Sequence, residues 1–165
     1  MINLCMNISE NSRVWIYQSN RPFTASEEDA VKKALNEFTG QWQAHGQQLA
    51  AASDIRYNRF IILSVDESQA GTTGCSIDKS VGLIKEIEKH FNVNLFDRFN
   101  IAYKEGDNVL ATDRDGFEKL IAEGKVNEDT VVFNNLVQTV AELHSKWEVP
   151  FKDSWHATVF GGVLR

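Results

Sequence analysis

A continuous apolar run, followed by a loop rich in glycine, threonine and serine, is the feature that most constrains this chain. Residues 60–63 read Phe-Ile-Ile-Leu within a predicted strand over 59–66, and an unbroken apolar run is typical of a strand at the centre of a sheet. The next segment carries Gly71 and Gly74 and leads into a predicted helix that ends near Phe91. This order places the start of a helix at the end of a buried strand, so loop 71–79 is the main candidate for chemistry.

The candidate loop offers hydrogen-bond donors and a positive charge at one point. The first N–H groups of a helix lack partners within the helix and carry partial positive charge, and glycine lets a ligand approach the backbone closely. We therefore expect either a small anionic ligand here or an ordinary helix start, with Ser76 as the N-cap and the glycines forming a turn. The candidate ligand-binding residues are Thr72, Thr73, Gly74, Cys75, Ser76 and Lys79.

Catalysis at this loop would use Cys75 as a nucleophile, because a helix start can lower the pKa of a thiol. His45 is the candidate base, since it continues the apolar face of a predicted helix over 27–45. The alternative makes Cys75 a packing residue and His45 a cation at a helix C-terminus. We expect no metal site; a hard cation, if bound, would use Asp66 or Glu67 together with Asp78.

ATP hydrolysis through a P-loop is disfavoured. That motif needs glycine, four residues and then Gly-Lys followed by serine or threonine. Gly71 is followed by residues 72–76 without such a pattern, and the Gly-Lys pair at Gly124 continues with Val126.

The predicted fold class is α+β, with an antiparallel or mixed sheet of about five strands and helices layered on one face. Strands are predicted over 13–18, 48–55 and 59–66, and a hairpin over 98–112. A last helix is predicted to begin with Asn134 or Asn135 as its cap, with an apolar stripe that includes Leu136, and to end before Pro150. The predicted order is β-α-β-β-α-β-β-α-α.

The length of 165 residues predicts one domain, over 12–160, between short tails at 1–11 and 161–165. The net charge of −6 argues against binding nucleic acid or an anionic membrane, and no apolar run reaches the length of a membrane span. No signal peptide is recognised, so we expect a cytoplasmic protein. Cys5 and Cys75 suit a reducing compartment, although a bridge between them stays open.

Several short phrases of the sequence resemble a family of short bacterial proteins, found mainly in the Bacteroidetes and often labelled "ABC transporter ATPase". The similarity spans about residues 12–160, and the family label implies ATP hydrolysis. The chain has no Walker lysine, no acidic strand motif and no Leu-Ser-Gly-Gly-Gln-type signature. The phrases are Ser12-Arg-Val-Trp-Ile-Tyr-Gln18, Trp42-Gln-Ala-His-Gly46, Val65-Asp-Glu67, Gly74-Cys-Ser-Ile-Asp-Lys-Ser80, Val132-Phe-Asn-Asn135 and Ser154-Trp-His156.

Three functions stay open on the sequence alone. The first is a module that binds a small anionic ligand at loop 71–79. The second is a structural or protein-interaction module, including a homodimer formed through an exposed strand edge. The third is an enzyme that uses Cys75 or a metal ion. The sequence identifies no cofactor.

Overall fold

The computed structural model describes residues 8–161 of the chain. Its strands are β1 (Arg13–Gln18), β2 (Gln43–Ala44), β3 (Gln47–Gln48), β4 (Ala50–Arg56), β5 (Phe60–Asp66), β6 (Ile101–Glu105), β7 (Asn108–Thr112), β8 (Val131–Phe133) and β9 (Glu148–Pro150). Its α-helices are α1 (Ala25–Gln41), α2 (Gly74–Phe91), α3 (Arg114–Ala122), α4 (Val140–Lys146) and α5 (Trp155–Phe160), and a 3-10 helix spans Phe151–Asp153. None of the helices in this part of the chain combines the length and the apolar character that crossing a bilayer requires.

All strand pairs described are antiparallel, and they form three sheets. The first sheet has the order β1-β5-β4, so β5 is central as its apolar run predicts. The second has the order β7-β6-β8-β9, and β2 pairs only with β3. The predicted α+β class is confirmed. The strands are divided among separate sheets, however, whereas the sequence pattern suggested one sheet of about five strands.

The two larger sheets pack against each other through one face of each. Side chains of β1 and β5 meet those of β6 and β8 in a common apolar cluster, to which α4 also contributes. Successive side chains of a strand point to opposite faces, so the odd-numbered residues of β5 pack on the other side, against α1 and α2. The outer face of the second sheet packs against α3, α5 and the 3-10 helix.

Helices therefore cover the outer faces of two sheets, instead of forming the single layer that the sequence predicted. Both faces of β5 are buried, which explains why its sequence does not alternate between apolar and polar residues. The elements between residues 13 and 160 share these clusters, which is consistent with one domain over 12–160.

The prediction that α1 extends to His45 is wrong. The helix ends at Gln41, because Trp42 adopts an extended conformation with φ −73° and ψ 122°. His45 and Gly46 have φ values of 51° and 77° and form the turn between β2 and β3. A hairpin turn of two residues favours positive φ, so a local turn accounts for the sequence that looked like a continued helix.

The prediction for the last long helix is also wrong at its start. The helix α4 begins at Val140, and the N-cap Thr139 accepts a hydrogen bond from the Glu142 N–H. Asn135 instead bonds side chains: its Nδ2 donates to Gln18 Oε1 at 2.8 Å and its Oδ1 accepts from Trp147 Nε1 at 2.9 Å. Residues 134–139 thus form an irregular segment alongside β1, and the chain after α4 enters β9.

Candidate functional site

The loop between β5 and α2, which is the predicted anion site, is closed by hydrogen bonds of its own. Thr73 is the N-cap of α2, and its Oγ1 accepts from the Ser76 N–H at 3.1 Å. Ser76 Oγ accepts in return from the Thr73 N–H at 2.7 Å. This reciprocal pair is a capping box with serine in the position usually held by glutamate. Thr73, and not Ser76, is therefore the cap.

Glu67 supplies an anion to this loop from within the chain. Its Oε2 accepts from the Thr72 N–H at 2.7 Å and from Thr72 Oγ1 at 2.8 Å. The N–H groups of Thr72, Thr73 and Ser76 thus have partners within the chain. Glu67 thus provides an internal carboxylate partner for Thr72, one of the predicted ligand-binding residues.

The other predicted ligand-binding and catalytic residues are on the surface. Cys75 and Lys79 are exposed on the first turns of α2, and His45 is exposed in the β2–β3 turn. Within residues 8–161, no hydrogen bond joins Cys75 to His45, so the thiol and imidazole are not held as a pair. Cys5 lies outside the described residues, and the question of its bridge to Cys75 is therefore open.

The residues considered for a cation do not form a metal centre. The Ser68 N–H donates to Asp66 Oδ1 at 3.0 Å and holds the pKa of that carboxyl below its usual value. Asp78 is exposed on α2. In the part of the chain that the structure describes, no group of at least three His, Cys, Asp or Glu side chains is placed to hold a metal ion.

A cleft that the sequence did not suggest lies beside β1. Near one end the Val14 N–H donates to Gln138 O at 3.0 Å, and near the other the Asn135 side chain bonds Gln18. Between these two points the irregular segment leaves the strand and encloses a cavity of about 440 Å³. We call it the β1 cleft; its lining residues are Arg13, Val14, Trp15, Ile16, Tyr17, Asn135, Leu136, Val137, Gln138 and Thr139.

Backbone groups of β1 point into this cleft. The N–H of Val14 points away from β5, toward Gln138. In a strand, the N–H and C=O of one residue point to the same side, and this side alternates from each residue to the next. The N–H and C=O of Ile16, two residues after Val14, therefore also point away from β5. Within residues 8–161, no backbone group bonds to Ile16 on that side. The side chain of Leu136 is 65% exposed at the edge of the cleft. The cleft therefore combines a backbone donor, a backbone acceptor and an apolar contact.

Sequence reasoning missed the cleft because it assigned Asn134 or Asn135 to a helix cap. An exposed strand edge was considered for a homodimer, but β1 was not named as that edge. Nothing in the local pattern shows that a segment distant in sequence arches over the edge of β1. Two adjacent asparagines after a strand are also typical of a turn, which is the one signal that favours an irregular segment here.

Arg13 connects the β1 cleft to the loop before α2. Its Nη1 donates to Thr72 Oγ1 at 3.0 Å, and its Nε lies 3.7 Å from Glu67 Oε1. The guanidinium also lies over the indole of Trp15, 4.8 Å from the ring centroid. The predicted loop thus contributes to the cleft by holding one of its lining residues.

Comparison with known proteins finds no matching family model, and no curated protein or solved structure is significantly similar to this chain. The resemblance to the bacterial proteins labelled "ABC transporter ATPase" stays a prediction.

Proposed function

We propose that this protein is an interaction module that binds an extended segment of a partner protein in the β1 cleft. The observation that carries the proposal is the backbone edge of Ile16, which has no partner among residues 8–161, inside a cavity of about 440 Å³. An extended peptide bonds to a free sheet edge through its own N–H and C=O groups. One peptide residue opposite Ile16 would form two such hydrogen bonds.

The shape of the cleft suits a short segment. Edge strands of native proteins are usually blocked or covered, because an open edge pairs with other chains. Here Gln138 covers the edge at Val14 and Asn135 covers it at Gln18, so only the middle of β1 is accessible. The cleft therefore favours the insertion of a few residues of a partner over a full additional strand along β1. The exposed side chain of Leu136 would contact an apolar side chain of the bound segment.

The contacts of Glu67 favour the cleft over loop 71–79 as the binding site. An anion at the loop would have to displace a carboxylate that accepts two hydrogen bonds from Thr72. Hydrogen bonds to a charged group are worth about 1.5–3 kcal/mol each. The cleft has no such internal occupant among the described residues.

Peptide selection with the folded protein tests the proposal. Short random peptides displayed on phage would be selected against the full chain, and the bound site would be mapped by backbone amide chemical shifts. We expect the largest shifts at Ile16, Leu136 and Gln138. Shifts confined to the first turn of α2, together with loss of binding in Lys79→Ala, would place the site at the predicted loop and refute the proposal.

Two variants examine the cleft directly. Ile16→Pro removes the N–H donor, and proline is tolerated on a strand edge; Ile16→Val keeps the donor and serves as the matched control. We expect Ile16→Pro to weaken peptide binding by about fivefold to tenfold and Ile16→Val to change it less than twofold (roughly the noise of an anisotropy titration). Leu136→Asp, at an exposed position, provides a second variant in case Ile16→Pro perturbs the strand.

The same samples distinguish a partner protein from a second copy of the chain. Light scattering over a range of protein concentrations reports self-association. A monomer that binds peptides supports the proposal. A dimer that dissociates in Leu136→Asp would assign the cleft to a second copy and contradict it.

A further inference from the structure

Among the residues that the structure describes, Arg13 is the one charged residue that lines the β1 cleft. Its side chain is 45% exposed, and its backbone forms the bridge to Thr139 at the end of the cleft where the segment before α4 meets β1. The chain as a whole carries a net charge of −6, so a cation at this cleft is opposite in sign to the overall surface. A cation at the end of a cleft that is otherwise lined by uncharged side chains and backbone groups favours a ligand with an anionic group.

The present partners of Arg13 leave most of its hydrogen-bonding capacity unused. One N–H donates to Thr72 Oγ1 at 3.0 Å, whereas the nearest oxygen of Glu67 is 3.7 Å from Nε, beyond hydrogen-bonding distance. An exposed ion pair of this kind contributes little to stability. The fixed fork of a guanidinium binds a carboxylate through two parallel N–H groups, and that mode is open to an incoming ligand.

Glu67 does not form a bidentate ion pair with Arg13, because its carboxylate is bound to Thr72. Its other carboxylate oxygen accepts both hydrogen bonds from Thr72, which fixes the side chain against the loop. The loop therefore keeps Arg13 beside the cleft without neutralising it by a bidentate contact.

We propose that the segment bound in the β1 cleft carries an aspartate or glutamate whose carboxylate pairs with Arg13. This inference rests on the proposed function. Arg13 precedes Ile16 by three positions, which is about 10 Å along a strand. Because Gln138 occupies the edge at Val14, the bound segment would leave β1 after the residue paired with Ile16. Its acidic residue would lie roughly two to three residues from that one, and an apolar residue would contact Leu136. The partner is thus an acidic and aliphatic extended segment of a protein.

A pair of synthetic peptides tests the charge requirement. The selected acidic peptide and its counterpart with glutamine in place of the acid would be titrated against the wild-type chain and Arg13→Gln. We expect the acidic peptide to bind wild type about tenfold or more tightly than the glutamine peptide, and the two peptides to bind Arg13→Gln equally. Arg13→Lys, which keeps the charge but loses the fork, should give an intermediate preference.

Glu67→Gln provides an independent measurement at a residue outside the cleft. Because this change removes the only carboxylate near Arg13 in the described structure, we expect the preference for the acidic peptide to rise above that of wild type. This inference would be overturned if wild type and Arg13→Gln prefer the acidic peptide over the glutamine peptide by the same factor. The cleft proposal would still stand in that case. If neither peptide binds wild type, the cleft proposal is refuted and this inference fails with it.

Discussion

The indole Nε1 of Trp42 donates to the backbone oxygen of Ser76 at 2.8 Å. Trp42 follows the last residue of α1, and Ser76 lies in the first turn of α2. The indole is buried against Phe38 and Trp15, with ring centroids 5.0 and 5.9 Å away. One side chain thus joins the end of α1 to the start of α2 and to the strand that borders the cleft.

Replacing Trp42 by phenylalanine should destabilise the protein by about 2–3 kcal/mol, because it removes a buried hydrogen bond and leaves a small cavity. Urea denaturation measures the free energy of unfolding. Trp155→Phe is the matched control, since Trp155 Nε1 is buried without a hydrogen-bond partner in the described structure. Equal losses in the two variants would show that the bond to Ser76 contributes nothing.

Removing the carboxylate of Glu67 should loosen the loop before α2. Glu67→Ala leaves the Thr72 N–H without its acceptor, and we expect a loss of about 2 kcal/mol in the free energy of unfolding. Hydrogen exchange at the Thr72 amide should accelerate, while exchange in the middle of β5 stays slow. Lys79→Ala, at an exposed position, should change stability by less than about 0.5 kcal/mol. Unchanged protection at Thr72 would contradict the assigned role.

Elements with a strong local pattern were predicted well. The bounds of β1 match the prediction over 13–18, and β5 occupies most of the predicted 59–66. The hairpin of β6 and β7 and the helix α2 also lie where the turn residues and the apolar period indicated. In each case the sequence carries both the period and the residue that ends the element, so no distant contact is needed to define it.

Features that depend on distant contacts were not predictable in this way. β9 pairs with β8 through only three residues. The segment 134–139 is shaped by bonds to Val14 and Gln18, and the next residue, Val140, donates its N–H to Ser12 O. The division into two packed sheets depends on which face of β5 packs against β8. Because β5 is buried on both faces, its sequence does not alternate between apolar and polar residues, so the sequence does not identify that face. Glu67 was considered only as a cation ligand, because its bond to Thr72 depends on the path of the loop.

Tyr57 and Glu148 should be energetically coupled across the two larger sheets. Tyr57 lies in the turn between β4 and β5, and its hydroxyl donates to Glu148 Oε2 in β9 at 2.7 Å. Glu148 also forms an ion pair with Lys104. Tyr57→Phe should cost about 1 kcal/mol. In a double-mutant cycle with Glu148→Gln, we expect a coupling of about 0.5–1.5 kcal/mol, and strictly additive losses would show that the contact does not hold the sheets together.

Acidification below neutral pH should destabilise the protein through His156. This side chain is 2% exposed, and burial lowers the pKa of His156 from its usual 6.5 to about 4. The unfolded chain therefore binds a proton that the folded chain does not, so stability is complete above pH 6.5 and falls as the pH is lowered toward about 4. The full loss is about 3 kcal/mol. Urea denaturation across this range would measure the slope, and His156→Phe should remove most of it. A variant with the slope of wild type, or an NMR titration that places the pKa of His156 near its usual value, would contradict the prediction.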